Sequence, residues 1–180
     1  MPSNLFHISL YLFTHSLIGS IFSSLGPFLP FLASATNHSE SYFTWLITVR
    51  GISFIFAGFV KVWIIQKVDL HKGLRNCCFG VGISAIAFTF TYNRILLCFI
   101  IFVLNLFFML ADVFCNIVIM RKAQDNVKMM MTLMYIFMCL GSFYGPFLVS
   151  FFGISCYSIL GAFMILLSLI YSFLHDFPEN

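Results

Sequence analysis

The side chains best placed to do chemistry in this chain sit in an otherwise apolar run, residues 95–120. They are Asn105, Asp112 and Asn116, spaced by seven and then four, so a helix carries them on one stripe with Met109 between them. A carboxylate at membrane depth costs about 2.5–3.5 kcal/mol on insertion scales, so Asp112 must face protein or water. Such a stripe can bind a coupling cation or the hydroxyls of a polar solute. It can also be neutralised by a basic neighbour and serve packing alone. The first apolar run carries a second polar set: Thr14, His15, Ser16, Ser20, Ser23 and Ser24. Ser16, Ser20 and Ser23 follow i, i+4, i+7 spacing and make a hydroxyl face, which either lines a pocket or bonds carbonyls one turn back. His15 has the chemistry of a proton relay, but a lone histidine in such a run reads first as a packed, hydrogen-bonded residue.

Two cations lie in the second apolar run. At 1.5 Å per residue, Asp112 stands about 26 Å from the outer end of its helix and Lys61 about 28 Å from the outer end of its own. Arg50 is only about 12 Å down. A Lys61–Asp112 pair is therefore expected if those helices touch, because opposite charge favours both ionised forms. The alternative is that Lys61 snorkels to the surface and Asn116 caps Asp112. Arg50 reads as a structural or gating residue.

These groups must be positioned by membrane helices. Of 180 residues, 61% are hydrophobic and only 8% charged, against about 25% charged in an average soluble chain. The net charge of +3 is carried by short loops, so nucleic acid is not an expected partner. The six cysteines have no CxxC spacing, and those in apolar runs behave as small hydrophobes. No nucleophile–base pair, metal cluster or phosphate loop is visible, so neither an enzyme nor a bound metal is expected. The first apolar run is too long, and lacks the basic start, for a cleaved signal peptide.

The patterning predicts an all-α membrane protein, one domain over residues 1–180, with transmembrane helices over about 5–31, 42–65, 76–92, 95–120, 129–151 and 156–174. The first is expected to bend or partly unwind at Gly26-Pro27-Phe28-Leu29-Pro30. Gly51 and Gly58, seven apart, offer a smooth strip for close helix contact. Asn37-His38-Ser39 is a glycosylation acceptor pattern with Asn37 as the candidate. Lys67, Lys72, Arg75, Arg121, Lys122 and Lys128 fall in two loops on one side, whereas the other side has Arg94 and Glu40. The positive-inside rule places both termini in the cytoplasm; which membrane is involved is not indicated.

In this order, four stretches resemble the N-terminal six-helix half of a major facilitator superfamily transporter, nearest the sodium-dependent glucose transporter-like branch. Gly26-Pro27-Phe28-Leu29-Pro30 is similar to G-P-T-L-P of helix 1. Arg50-Gly51-Ile52-Ser53-Phe54-Ile55-Phe56-Ala57-Gly58 resembles R-[SG]-x-G-Y-x-x-G-S of helix 2, with Ser53 at a usual glycine. The run from Ala111 through Asp112 and Asn116 to Val118 resembles D-x-x-x-N-V of helix 4. Leu140-Gly141 to Pro146-Phe147-Leu148 resembles L-G-A-F-x-x-P-L of helix 5. The signature loop after helix 2 departs from the family, with Gln66-Lys67 where Asp-Arg is usual.

The resemblance implies two inverted three-helix repeats, half of a major facilitator fold. It implies transport of small polar solutes, sugars among them, by alternating access with a second six-helix half, either a copy of this chain or another. Helices 1, 2, 4 and 5 would face the cavity and helices 3 and 6 the lipid. Asp112, Asn116, Asn105, Ser16 and Ser20 would contact the solute or ion. Arg50, Lys61, Gly141, Gly145 and Pro146 would be structural or gating residues. No cofactor is implied beyond a coupling sodium ion or proton. The rival expectation is a non-transporting membrane subunit, or a truncated remnant of a transporter.

Overall fold

The computed structural model describes the backbone of residues 2–123 and 126–174 and the side chains of residues 6–121 and 126–174. Lys122 and the tail beyond Leu174 lie outside the described side chains. Helices run in the order α1 (Pro2–Thr36), α2 (Trp45–Ile65), α3 (Leu70–Thr89), α4 (Arg94–Ala123), α5 (Val127–Phe152) and α6 (Cys156–Leu174), with short 3-10 turns at Glu40–Phe43 and Gly153–Ser155. The class is all-α, and four stretches are long and apolar enough to cross a membrane: Phe6–Thr36, Glu40–Ile65, Arg94–Arg121 and Val127–Leu174. The last is 48 residues long and is broken at Gly153, whose φ of 53° is a left-handed conformation that glycine adopts without penalty. α3 is not among the four, because its first turns carry Lys72, Arg75 and Asn76.

Polar caps set several helix edges. Asp69 accepts from the backbone N–H groups of His71 and Lys72 at the start of α3. Asn93 does the same for Ile95 and Leu96 at the start of α4. These bonds satisfy donors that a helix start leaves unpaired. At the end of α1, Asn37 takes a positive φ of 54° and the His38 N–H bonds the Ala33 carbonyl at 3.1 Å. That is a helix stop with asparagine in the left-handed position, so the glycosylation candidate doubles as the cap of α1.

The expected unwinding at Pro27 and Pro30 does not occur: α1 continues through both to Thr36. Each proline removes one backbone donor but leaves its neighbours bonded. Pro146 is likewise carried inside α5.

The bundle is held by long-range pairs: α1 lies most extensively along α5, α3 along α6 and α4, and α2 along α4. Between α1 and α5 the contact is backbone on backbone. A Cβ at Gly141 would collide with the Ser16 carbonyl, one at Gly19 with the Met138 carbonyl, and one at Gly145 with the Ser23 hydroxyl and the Ser20 carbonyl. Ser20 donates across this seam to the Gly141 carbonyl at 2.9 Å, and Ser142 donates to the Gly19 carbonyl at 3.2 Å. A second seam joins α3 and α6, where a Cβ on Gly82 would stand 2.7 Å from the Gly161 carbonyl and a Cβ on Gly161 the same from the Gly82 carbonyl. The strip expected at Gly51 and Gly58 is not used for close contact: nothing lies within 4 Å of a Cβ at either. Helices α3 and α6 are therefore tightly coupled to each other, while α2 is the least enclosed, with 22% of its apolar window buried.

Replacing Gly141 by leucine forces α1 and α5 apart and is expected to cost at least the roughly 1–3 kcal/mol of an overpacked core. Gly51→Ala and Gly58→Ala should cost nothing and can raise stability by up to about 1 kcal/mol, since glycine is the poorer helix former. Thermal unfolding of the three variants in detergent, with size-exclusion profiles, checks this contrast.

Candidate functional site

The polar centre of the bundle forms where α1 crosses α4. α1 and α4 are antiparallel here, since Phe22 stacks on Phe108 at 5.7 Å while His15 meets Asp112 one to two turns away. The His15 Nε2 lies 3.1 Å from Asp112 Oδ1. The approach is not aligned as a hydrogen bond, so it is an electrostatic contact that becomes an ion pair when the imidazole carries a proton. His15 is 1% exposed and Asp112 25% exposed; the carboxylate opens outward and the imidazole closes the site from behind.

Asn116 completes the group. Its Nδ2 donates to the Asp112 carbonyl at 2.8 Å and to Asp112 Oδ2 at 3.2 Å. The i, i+4 spacing read from the sequence does this, because it stacks the amide one turn above the acid. Three polar atoms of the cluster are buried without a hydrogen-bond partner: His15 Nδ1, His15 Nε2, which has only its contact with the carboxylate, and Asn116 Oδ1. The cluster can thus offer a carboxylate, an amide oxygen and an imidazole nitrogen to a cation or to solute hydroxyls.

The other candidates divide. Asn105 is buried and donates to the Ile101 carbonyl at 2.6 Å, which satisfies its amide within α4. Ser20 is consumed by the α1–α5 seam, bonding the carbonyls of Ser16 and Gly141. Ser16 is half-buried and contributes its carbonyl to the same seam. Gly141 and Gly145 are the close-approach points of that seam, and Pro146 follows it by one residue.

Lys61 does not pair with Asp112. α2 and α4 run parallel: Arg94 sits over the Trp45 ring at 5.3 Å, and Ile65 and Val118 line one cavity at the other end. Lys61 is accordingly near the depth of Asp112, as helix arithmetic requires. The carboxylate is nonetheless taken by His15 from the third helix at that crossing.

Sequence reading did not anticipate the polar contacts beneath His15. Thr14 shares a 2.7 Å hydrogen bond with the Tyr171 hydroxyl, and Tyr171 stacks on Tyr11 at 5.6 Å. Tyr11 reaches to 3.5 Å from His71 Nδ1, and the Cys115 thiol faces the Tyr11 carbonyl at 3.6 Å. These residues tie α1 to α3, α4 and α6; only the adjacency of Thr14 and His15 on α1 hinted at them. A cavity of about 320 Å³ lies at the α2–α3 turn, lined by Asp69, His71 and Arg121 among others.

A double-mutant cycle distinguishes the pairings. His15→Ala and Asp112→Asn should couple by about 0.5–3 kcal/mol in unfolding free energy, whereas Lys61→Ala and Asp112→Asn should be additive. No protein-family model, no curated protein and no solved structure matches this chain.

Proposed function

We propose that the chain is a six-span half of a solute transporter of the major facilitator kind. In this reading it moves small polar solutes, sugars among them, by alternating access with a second half supplied by another copy or another chain. Asp112, with His15 behind it and Asn116 beside it, is the contact for the solute or for a coupling sodium ion or proton. The observation that carries the reading is the partly open carboxylate flanked by three buried polar atoms without hydrogen-bond partners. A packing module would gain nothing from leaving such atoms unsatisfied.

The packing supports the repeat reading. Exchanging helices 1, 2, 3 for 4, 5, 6 turns the α1–α5 contact into the α4–α2 contact and leaves α3–α6 unchanged, and all three pairs are extensive. Such an exchange is what inverted three-helix repeats require. The break at Gly153 divides the longest apolar stretch into two crossings, and α3, shielded between α4 and α6, supplies another. The basic loops then put both termini on the cytoplasmic side.

A specific observation favours the rival, a non-transporting subunit or remnant: His15 offsets Asp112 within the chain, while Ser20 and Asn105 spend their hydrogen bonds on its own backbone. Proteoliposome uptake of radiolabelled glucose, with and without a sodium gradient, tests the two, alongside the mass of the purified particle. Transport predicts a particle containing two halves, and at least a tenfold loss of uptake in Asp112→Asn at unchanged protein level. No uptake by the wild type, with Asp112→Asn lowering only abundance or assembly, supports the subunit.

A further inference from the structure

Above the Asp112 cluster, toward the start of α2, Arg50 sits among Phe22 of α1, Phe54 of α2 and Phe108 of α4. Its guanidinium carbon lies 3.7 Å from the centre of the Phe22 ring and 5.4 Å from that of Phe54. The three rings stack on one another at 5.7–6.2 Å. Nη1 donates to the Phe22 carbonyl at 2.9 Å. Nη2 is buried and has no hydrogen-bond partner. The Ser53 hydroxyl, one turn on, is turned back to the Arg50 carbonyl at 2.7 Å and does not compete for the guanidinium.

Among the described residues no acid pairs with this cation; Asp112 is met by His15 at 3.1 Å instead. Glu40 is exposed in the loop before α2, and Asp69 caps α3 beyond the far end of α2. A guanidinium carries five donors in a planar fork matched to two oxygens of one anion. Here the ring face holds its plane and the Phe22 carbonyl fixes one edge, so the free edge is already oriented. Phe22, which covers the guanidinium, is itself 37% exposed, so a ligand reaches the buried Nη2 by displacing this outer ring.

We infer that Arg50 is the binding site for an oxyanion, a carboxylate or phosphate group, received on the free edge of its guanidinium within the phenylalanine cage between α1, α2 and α4. Planar carboxylates with an apolar body suit it best, since the fork takes the two oxygens and the rings take the body. The inference stands on Arg50 and its cage alone and does not require the chain to be a transporter. The oxyanion can come from a soluble organic acid or from the phosphodiester of a membrane lipid.

The test uses the full chain in uncharged maltoside detergent. Thermal midpoints are followed while sodium benzoate or inorganic phosphate is titrated against sodium chloride of equal ionic strength. In parallel, native mass spectrometry follows retention of phosphatidylglycerol. A saturable rise with benzoate or phosphate that is absent in Arg50→Gln, and at least tenfold weaker in Arg50→Lys, assigns a soluble anion. Stoichiometric phosphatidylglycerol on the wild type but not on Arg50→Gln, without a response to soluble anions, assigns the lipid. If Arg50→Gln does not fold, Arg50→Lys and Phe22→Leu each carry the comparison, and each should weaken binding at least tenfold. Absence of saturable binding by either class, or equal binding by the Arg50 variants, overturns the inference.

Discussion

Contact without Cβ atoms is the constraint on which this bundle depends. In hydrocarbon, apolar side chains gain little by meeting each other rather than lipid, so helices associate through close backbone approach and interhelical hydrogen bonds. α1 and α5 meet this requirement at Gly19, Gly141 and Gly145, and the Ser20 and Ser142 hydroxyls cross the seam in opposite directions. α3 and α6 meet it at Gly82 and Gly161, where each backbone occupies the space that the other's side chain would need. Ser168 adds a bond from α6 to the Arg75 carbonyl at 2.9 Å. With these two seams closed, the rotation of α1 about its own axis is set, and so is the direction in which His15 points.

The polar centre is a by-product of that rotation. His15 and Ser20 lie on different sides of α1: one reaches α4, the other α5. Had α1 turned by one residue, the acid on α4 would face the hydroxyl of Thr14 or Ser16 in place of the imidazole. The aromatic contacts reinforce the setting. Phe28 packs against Phe88 and Tyr157 at 5.1 and 5.0 Å, and Tyr11 lies on Tyr171 below. These pairs clamp α1 against α3 and α6 on both sides of the histidine.

Much of this was legible in the sequence, and the limits have physical causes. Apolar run length gives the helices and the membrane setting, but it starts α3 at about residue 76, whereas the Asp69 cap begins that helix at Leu70, ahead of the apolar run. The link from Asp112 to Asn116 follows from i, i+4 spacing on one helix. What a single helix cannot reveal is which of its faces a neighbour will cover. Gly51 and Gly58 have the spacing of a packing strip yet meet nothing, while Gly82 and Gly161, far apart in the chain, meet each other. Position along the helix was legible for Lys61 and Asp112, because rise per residue is fixed. Azimuth was not, because it is a property of the assembled bundle. The prolines in α1 misled for a related reason: a missing donor weakens a helix locally, but packing on both sides keeps it continuous.

The order of the pairings bears on how the protein is made. Apart from α3 with α4, every extensive contact joins helices that are not neighbours in the chain: α1 with α5, α2 with α4, α3 with α6. At synthesis rates of roughly 5–20 residues per second, α1 is in the bilayer for many seconds before its main partner emerges. Throughout that interval the seryl hydroxyls of α1 can only turn to their own backbone carbonyls, and His15 has no acid to meet. The glycine seam cannot form until α5 arrives, and the last helix must emerge before α3 is enclosed. The α1–α5 and α3–α6 seams therefore close late, onto a group of α2, α3 and α4 whose mutual contacts are available as soon as α4 is made.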